Sequence, residues 1–370
     1  MDKEPTISQE DKDFISYLRG FAILSIVFGH VGGYWSMKPL SSYLHLSGST
    51  FFFFLAGGVL YHSYQRTRSL RDYYSRRFSN LLVPYYLICI VALIFFSLSE
   101  QSLPAPDLMK AVSWILIRPS HEQMPFPLGQ LWFLHTYVML IFFSPMLFWV
   151  YSKKPLCFFL LGCASLTLSV IKVFFDLKCS VSLLRWDLYN LAFYGLFFMA
   201  GVGSFSSRKS SIRRTAVIVF VVALVARALL CTTQIPLDLT YSFINKDILY
   251  IVPSVMFISL VLLFKHGIYA AIKKAGIVEG FLLFFHKHTF SIYLLHSLSI
   301  YASELLLDKV AFTQKTFLYG IVKFLIVLFL VAVMAIPFTR LSQAVAKSMN
   351  ARIRDIRVFG VGRVPKSEQQ

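Results

Sequence analysis

Arg19 and His30 are the first side chains in this sequence whose types and spacing suit chemistry. They sit eleven residues apart in an otherwise apolar run, FISYLRGFAILSIVFGHVGGYW. At about 100° per residue this separation is about three helical turns, which puts both on one face some 16 Å apart along the axis. A guanidinium holds anionic groups such as phosphates. A neutral imidazole either takes a proton from a hydroxyl or carries an acyl group itself, because its pKa lies close to working pH. The plainer reading is an arginine snorkelling to a membrane surface and a histidine satisfied by packing.

Other polar positions recur in apolar surroundings. Arg76 and Arg77 precede Leu81-Leu82-Val83-Pro84-Tyr85-Tyr86, where a chain entering an apolar phase leaves cations placed for phosphates or for simple anchoring. Trp132, His135 and Tyr137 open a later apolar stretch and fit an interfacial aromatic belt. Tyr293 and His296, three residues apart, share a helix face. They suit a hydrogen bond between packed helices or a substrate contact.

Those residues need an apolar scaffold, and the composition supplies one. Of 370 residues 57% are hydrophobic and 15% charged, against about half and a quarter in a soluble domain. The 37 Phe and 19 Tyr exceed what one water-soluble core hides, whereas lipid accepts them as outer surface. Apolar stretches at 14–34, 47–64, 81–98, 130–150, 155–172, 188–204, 215–231, 248–265, 281–302 and 316–338 have the roughly 17 to 25 residues needed to cross a bilayer. The runs are continuous, unlike the alternating strands of about ten residues in a barrel. The expected fold is all-α, a polytopic transmembrane helical bundle of about ten spans.

Lys and Arg set its orientation. Arg66 to Arg77, Lys153 and Lys154, Arg208 to Arg214, Lys265 to Lys274 and the tail after 340 share one side. That side carries about twice the positive charge of the other, so both termini are expected to be cytoplasmic. The net charge of +18 then reflects topology and anionic lipid instead of nucleic acid. A transmembrane domain over 1–340 and a basic cytoplasmic tail over 341–370 are expected. Leu341, Val345, Met349, Ile353 and Ile356 are spaced for a helix on the inner leaflet. The polar N-terminus has no cleavable-signal pattern, so the first span reads as a retained anchor. The five cysteines show no metal-ligand spacing, although Cys179 and Cys231 fall in exterior loops where a disulfide is an option. No GxSxG, HExxH or phosphate-binding glycine loop is present.

Arg19-Gly20-Phe21-Ala22-Ile23-Leu24 with His30 resembles the opening signature of the acyltransferase-3 family. Further elements follow in order: Phe51 to Phe54 with Leu55-Ala56-Gly57-Gly58, Arg76-Arg77 with Pro84-Tyr85, Trp132-Phe133-Leu134 with Pro145, and Ile292-Tyr293-Leu294-Leu295-His296. The chain departs from the family pattern at Ser16, Ala56 and Asn80. Asn80 replaces a common second arginine of the donor motif.

The resemblance implies transfer of an acyl group, usually acetyl from acetyl-coenzyme A, to a hydroxyl of a cell-surface glycan or lipid-linked sugar in a bacterial inner membrane. On that reading acyl-coenzyme A is a donor substrate and no cofactor is held permanently. His30 acts as base or acyl relay, and Arg19, Arg76 and Arg77 hold donor phosphates. Trp132 and Tyr137 stack on sugar, with His135, Tyr293 and His296 as further acceptor contacts. The rival class is a transporter or flippase of a lipid-linked glycan. Its expected mark, matching Gly or Pro breaks in two halves, is not formed by Gly32-Gly33, Gly57-Gly58 and Pro145.

Overall fold

The computed structural model describes residues 8–33, 40–67, 69–98, 132–174, 182–183, 186–206, 209–232, 248–309 and 317–360. The chain forms α1 (Gln9–Phe28) running into a π-helical turn (Gly29–Gly33), α2 (Leu40–Gln65), α3 (Leu70–Leu98), α4 (Trp132–Lys153) and α5 (Pro155–Phe174). A two-residue antiparallel ladder pairs β1 (Ser182–Leu183) with β2 (Trp186–Asp187). Then come α6 (Leu188–Ser206), α7 (Lys209–Thr232), α8 (Ile248–Leu263), α9 (Lys265–Lys274), α10 (Gly276–Lys287), α11 (Thr289–Lys309) and α12 (Phe317–Gly360).

The outer surface is apolar, the inverse of a soluble protein. Phe142, Met146 and Trp149 on α4, Ile218, Val222 and Leu229 on α7, and Leu318, Leu325, Phe329 and Val333 on α12 are all exposed. Their helical spacing makes continuous apolar faces that only hydrocarbon accommodates without cost. Among the described residues seven helices are long and apolar enough to cross a membrane, and eight if α8 and α9, bent by 67°, make one span. Helices α2 and α5, 26 and 20 residues long, cover the expected stretches at 47–64 and 155–172. Helix α2 keeps Ser49, Thr50 and His62 buried because neighbouring helices enclose it.

Helix α2 is the axis of the bundle and packs most extensively on α6 and α1. Glycines set the α2–α6 distance: a β-carbon at Gly57 would run into the Phe198 carbonyl, and one at Gly201 into the Phe54 carbonyl. Backbones this close gain packing where no hydrophobic drive acts between helices. Around the contact the Phe53 ring lies 4.4 Å from both Phe133 and Tyr194. Buried hydroxyls pair across helices, Tyr73 with Ser144 at 2.7 Å and Ser49 with Tyr250 at 2.8 Å, as groups without water must.

Helix α1 starts at Ser8, whose hydroxyl accepts the Asp11 amide proton. Its acidic first turns meet α9 and α10. Lys265 pairs with Asp11, His266 Nδ1 reaches Glu10 Oε1 at 2.7 Å, and the Tyr17 hydroxyl donates to Glu279 at 2.6 Å. Hydrogen bonds from Lys273 and Tyr17 hold the Glu279 carboxyl below its ordinary range. The start of α1 and the 264–275 connection therefore lie at one end of the bundle, as the charge pattern requires of them.

Two expectations need correction. The stretch 281–302 is not one helix, because α10 ends at Lys287 and α11 starts at Thr289, with His288 between them. Cys231 is a free thiol, so it forms no disulfide, and Cys179 lies outside the described residues. The basic segment after 340 continues α12 without a break to Gly360.

Substituting Gly201 by Ala should lower the melting temperature of the purified protein by several degrees, the effect of about 1–3 kcal/mol of overpacking. Gly203→Ala, where a β-carbon meets nothing within 4 Å, should leave it within a degree of the parent. Equal melting of the two variants would contradict the α2–α6 contact.

Candidate active site

His30 stands in the π-helical turn that ends α1. Gly29, Gly32 and Gly33 disfavour a regular α-turn there, and a widened turn of this kind is typical of functional sites. The turn brings the His30 ring against His296 of α11, with centroids 4.9 Å apart and planes inclined by 15°. His30 Nδ1 and His296 Nε2 are 2.8 Å apart. His296 is fully buried, and its Nδ1 lies 2.5 Å from the Tyr293 carbonyl.

These contacts order the protons. A carbonyl only accepts, so His296 Nδ1–H donates to Tyr293, and the neutral ring presents the lone pair of Nε2. His30 Nδ1–H then donates to that nitrogen. The lone pair of His30 consequently resides on Nε2, the geometry of a general base held by an orienting partner.

A wall of rings runs from this pair to the other candidate residues. Tyr293 lies 5.7 Å from His296, Phe133 5.5 Å from Tyr293, and Tyr137 6.1 Å from Phe133. Beyond it Arg19, half-buried on α1, is within electrostatic reach of Tyr137 and Arg77. Arg77 lies over the Tyr73 ring at 5.9 Å. Thus Arg19, Arg77, Tyr137, Tyr293, His296 and His30 share one continuous region of the bundle.

The remaining candidates stand apart. Arg76 is exposed, on a different face of α3 from Arg77. His135 is buried, but two residues from both Phe133 and Tyr137 it occupies another face of α4. Trp132 begins α4, and its side chain lies outside the described residues.

One residue was not anticipated. His286 of α10 is brought beside Arg19 because Gly20 lets the helices approach until a β-carbon would meet the Leu282 carbonyl. Its Nδ1 is buried without a hydrogen-bond partner among the described residues. Burial, with the Arg19 guanidinium adding to it, pushes the imidazole down to about 4, so His286 is neutral at pH 7. The available signal was the polar triplet His286-Lys287-His288 interrupting an apolar stretch, which marks a helix boundary.

The acyltransferase-domain family model matches residues 12–336. The chain belongs to the acyltransferase-3 family. No curated protein and no solved structure matches it. Every acyltransferase-3 residue assigned above falls inside the matched region, which runs from the start of α1 to the middle of α12. Membrane acyl transfer is the activity class of this acyltransferase-3 protein.

Acid should expose the His286 contribution. Its folded value near 4 is below the ordinary 6.5 or so, so on acidification the unfolded chain takes up the proton first. The stabilisation is complete above about pH 6.5 and is lost as pH falls toward about 4. Between pH 7 and pH 5 the melting temperature should fall less for His286→Gln than for the parent. An equal fall would show that His286 is not buried beside Arg19.

Proposed function

We propose that this protein is an O-acyltransferase that takes an acyl group, acetyl in the first instance, from acyl-coenzyme A. The acceptor is a hydroxyl of a cell-surface glycan or of its lipid-linked precursor, and the setting is a bacterial inner membrane with both termini cytoplasmic. The observation that carries the reading is the His30–His296 hydrogen bond, which leaves His30 Nε2 as the basic nitrogen. Family membership supplies the reaction class.

In this scheme His30 Nε2 accepts the proton of the acceptor hydroxyl as its oxygen attacks the thioester carbonyl. The tetrahedral intermediate collapses, the C–S bond breaks, and the proton passes to the departing thiolate. The products are an O-acyl ester and free coenzyme A. His296 holds the His30 ring and spreads the positive charge that develops on it. A relay in which His30 Nε2 first takes the acyl group uses the same nitrogen and geometry.

Arg19 and Arg77 orient donor phosphates, with Arg76 contributing from the exposed face of the same helix. Tyr137 and Tyr293, in the wall between the arginines and the histidines, form the acceptor face, where aromatic rings stack on a sugar. Trp132, at the start of α4, and His135 complete the acceptor contacts of the proposal.

Purified protein given labelled acetyl-coenzyme A and a surface-glycan acceptor should form acylated sugar, and His30→Ala should slow this by about 10² to 10⁴-fold while melting like the parent. Full turnover by folded His30→Ala would overturn the mechanism. Absence of coenzyme A binding by the parent would favour a transporter.

A further inference from the structure

A cavity of about 230 Å³ opens where α3, the α10–α11 junction and α12 meet, on the face of α11 turned away from His296. Its polar lining includes Asn80 of α3, Lys287 and His288 of the junction, Ser291 of α11, and Thr339 and Gln343 of α12. Asn80 stands where the family often has a second donor-motif arginine; the other five carry no role in the His30 site.

Three of these residues are locked together. The Thr339 hydroxyl is 2.8 Å from His288 Nδ1 and 2.7 Å from the Ser291 hydroxyl. That network fixes the inner wall, while Lys287, Asn80 and Gln343 are exposed and reach the opening. Pro84 and Phe290 add an apolar side.

The electrostatics have one sign. Among the described residues no carboxylate lines the cavity. Arg340 and Lys287 are both near enough to act on His288, whose imidazole is held below its ordinary value by burial first and by these two cations in addition. Arg76 is exposed one turn before Asn80, on the face of α3 that carries Asn80 and Pro84. A cluster of ammonium, guanidinium and amide donors beside hydroxyls and without an acid matches the several acceptor oxygens of a phosphoryl group.

We propose that this cavity binds a phosphate ester, with Lys287 as its charged contact and Asn80 and Gln343 as amide donors. The volume suits a phosphoryl group together with the alcohol it esterifies. Two sources share that chemistry, the nucleotide end of coenzyme A and the headgroup of an anionic phospholipid. Among the described residues neither Arg19 nor Arg77 lines the cavity; its coenzyme A arm rests on the donor reading above, and occupancy does not depend on acyl transfer taking place.

The test uses the full chain with two probes: coenzyme A, titrated by calorimetry into protein in phosphatidylcholine nanodiscs, and phosphatidylglycerol, competed against phosphatidylcholine and read by native mass spectrometry. Lys287→Gln and Gln343→Ala should each weaken one probe roughly tenfold, the loss of one charge-assisted or amide contact. Lys154→Gln, an exposed cation at the α4–α5 junction, should weaken neither. Thermal melting of each variant reports folding, and the two substituted side chains are exposed.

Loss confined to coenzyme A would identify the donor as the occupant, and loss confined to phosphatidylglycerol would identify lipid. If Lys287→Gln and Gln343→Ala hold both probes as tightly as the parent, or Lys154→Gln loses as much as they do, the assignment is wrong. A chain that still acylates sugar while failing this test would leave the His30 mechanism standing. One that passes it without acylating sugar would leave the cavity standing.

Discussion

An imidazole inside a bilayer has no water to turn to, so its hydrogen bonds must come from the protein. His30 meets this demand with His296, and His296 meets it in turn with the Tyr293 carbonyl. The arrangement requires α1 and α11 to keep their separation and rotation, since two ring nitrogens at 2.8 Å tolerate little sliding. Much of the bundle serves that alignment. The π-helical turn aims His30, the glycine contacts between α2 and α6 bring the central helices close, and Gly20 lets α10 press on α1. A buried polar chain of this kind orders protons as well as positions, because its terminal carbonyl can only accept.

The same constraint explains the division among the cations. Arg77 and Arg19 turn inward, where rings and hydroxyls receive them, and Arg76 faces outward one residue from Arg77. Adjacent residues on a helix point about 100° apart. A single basic pair therefore serves the interior of the bundle and its surface at once. Acidic side chains gather at the other contact of that kind, between the start of α1 and α9 with α10, where Asp11, Asp13 and Glu279 face Lys265 and Lys273.

Much of this was legible in the sequence because lipid enforces simple patterns. Continuous apolar runs gave helices, and the Arg19 to His30 spacing on the first helix anticipated residues that share one region. Tyr293 and His296 were legible as a pair on one face, but their weight was not, because the partner of His296 lies 266 residues away. The break at His288 was hidden inside an apolar stretch, where a polar triplet can be either an interruption or a decorated span. His286 escaped for that reason. Nor does hydropathy reveal that α2 is sheltered by its neighbours, or that α9 turns by 67° away from α8.

If His30 and His296 act as one unit, removing both should cost no more than removing His30 alone, since the second loss removes a partner that no longer has anything to orient. The decisive measurement is the rate of acetyl transfer, at saturating donor and acceptor, by His30→Ala, His296→Ala and the double variant, each checked for folding by melting. The account predicts a large loss for His30→Ala, a smaller one for His296→Ala, and a double variant as slow as His30→Ala within about twofold. A double variant slower by the product of the two single losses would show independent residues and contradict it.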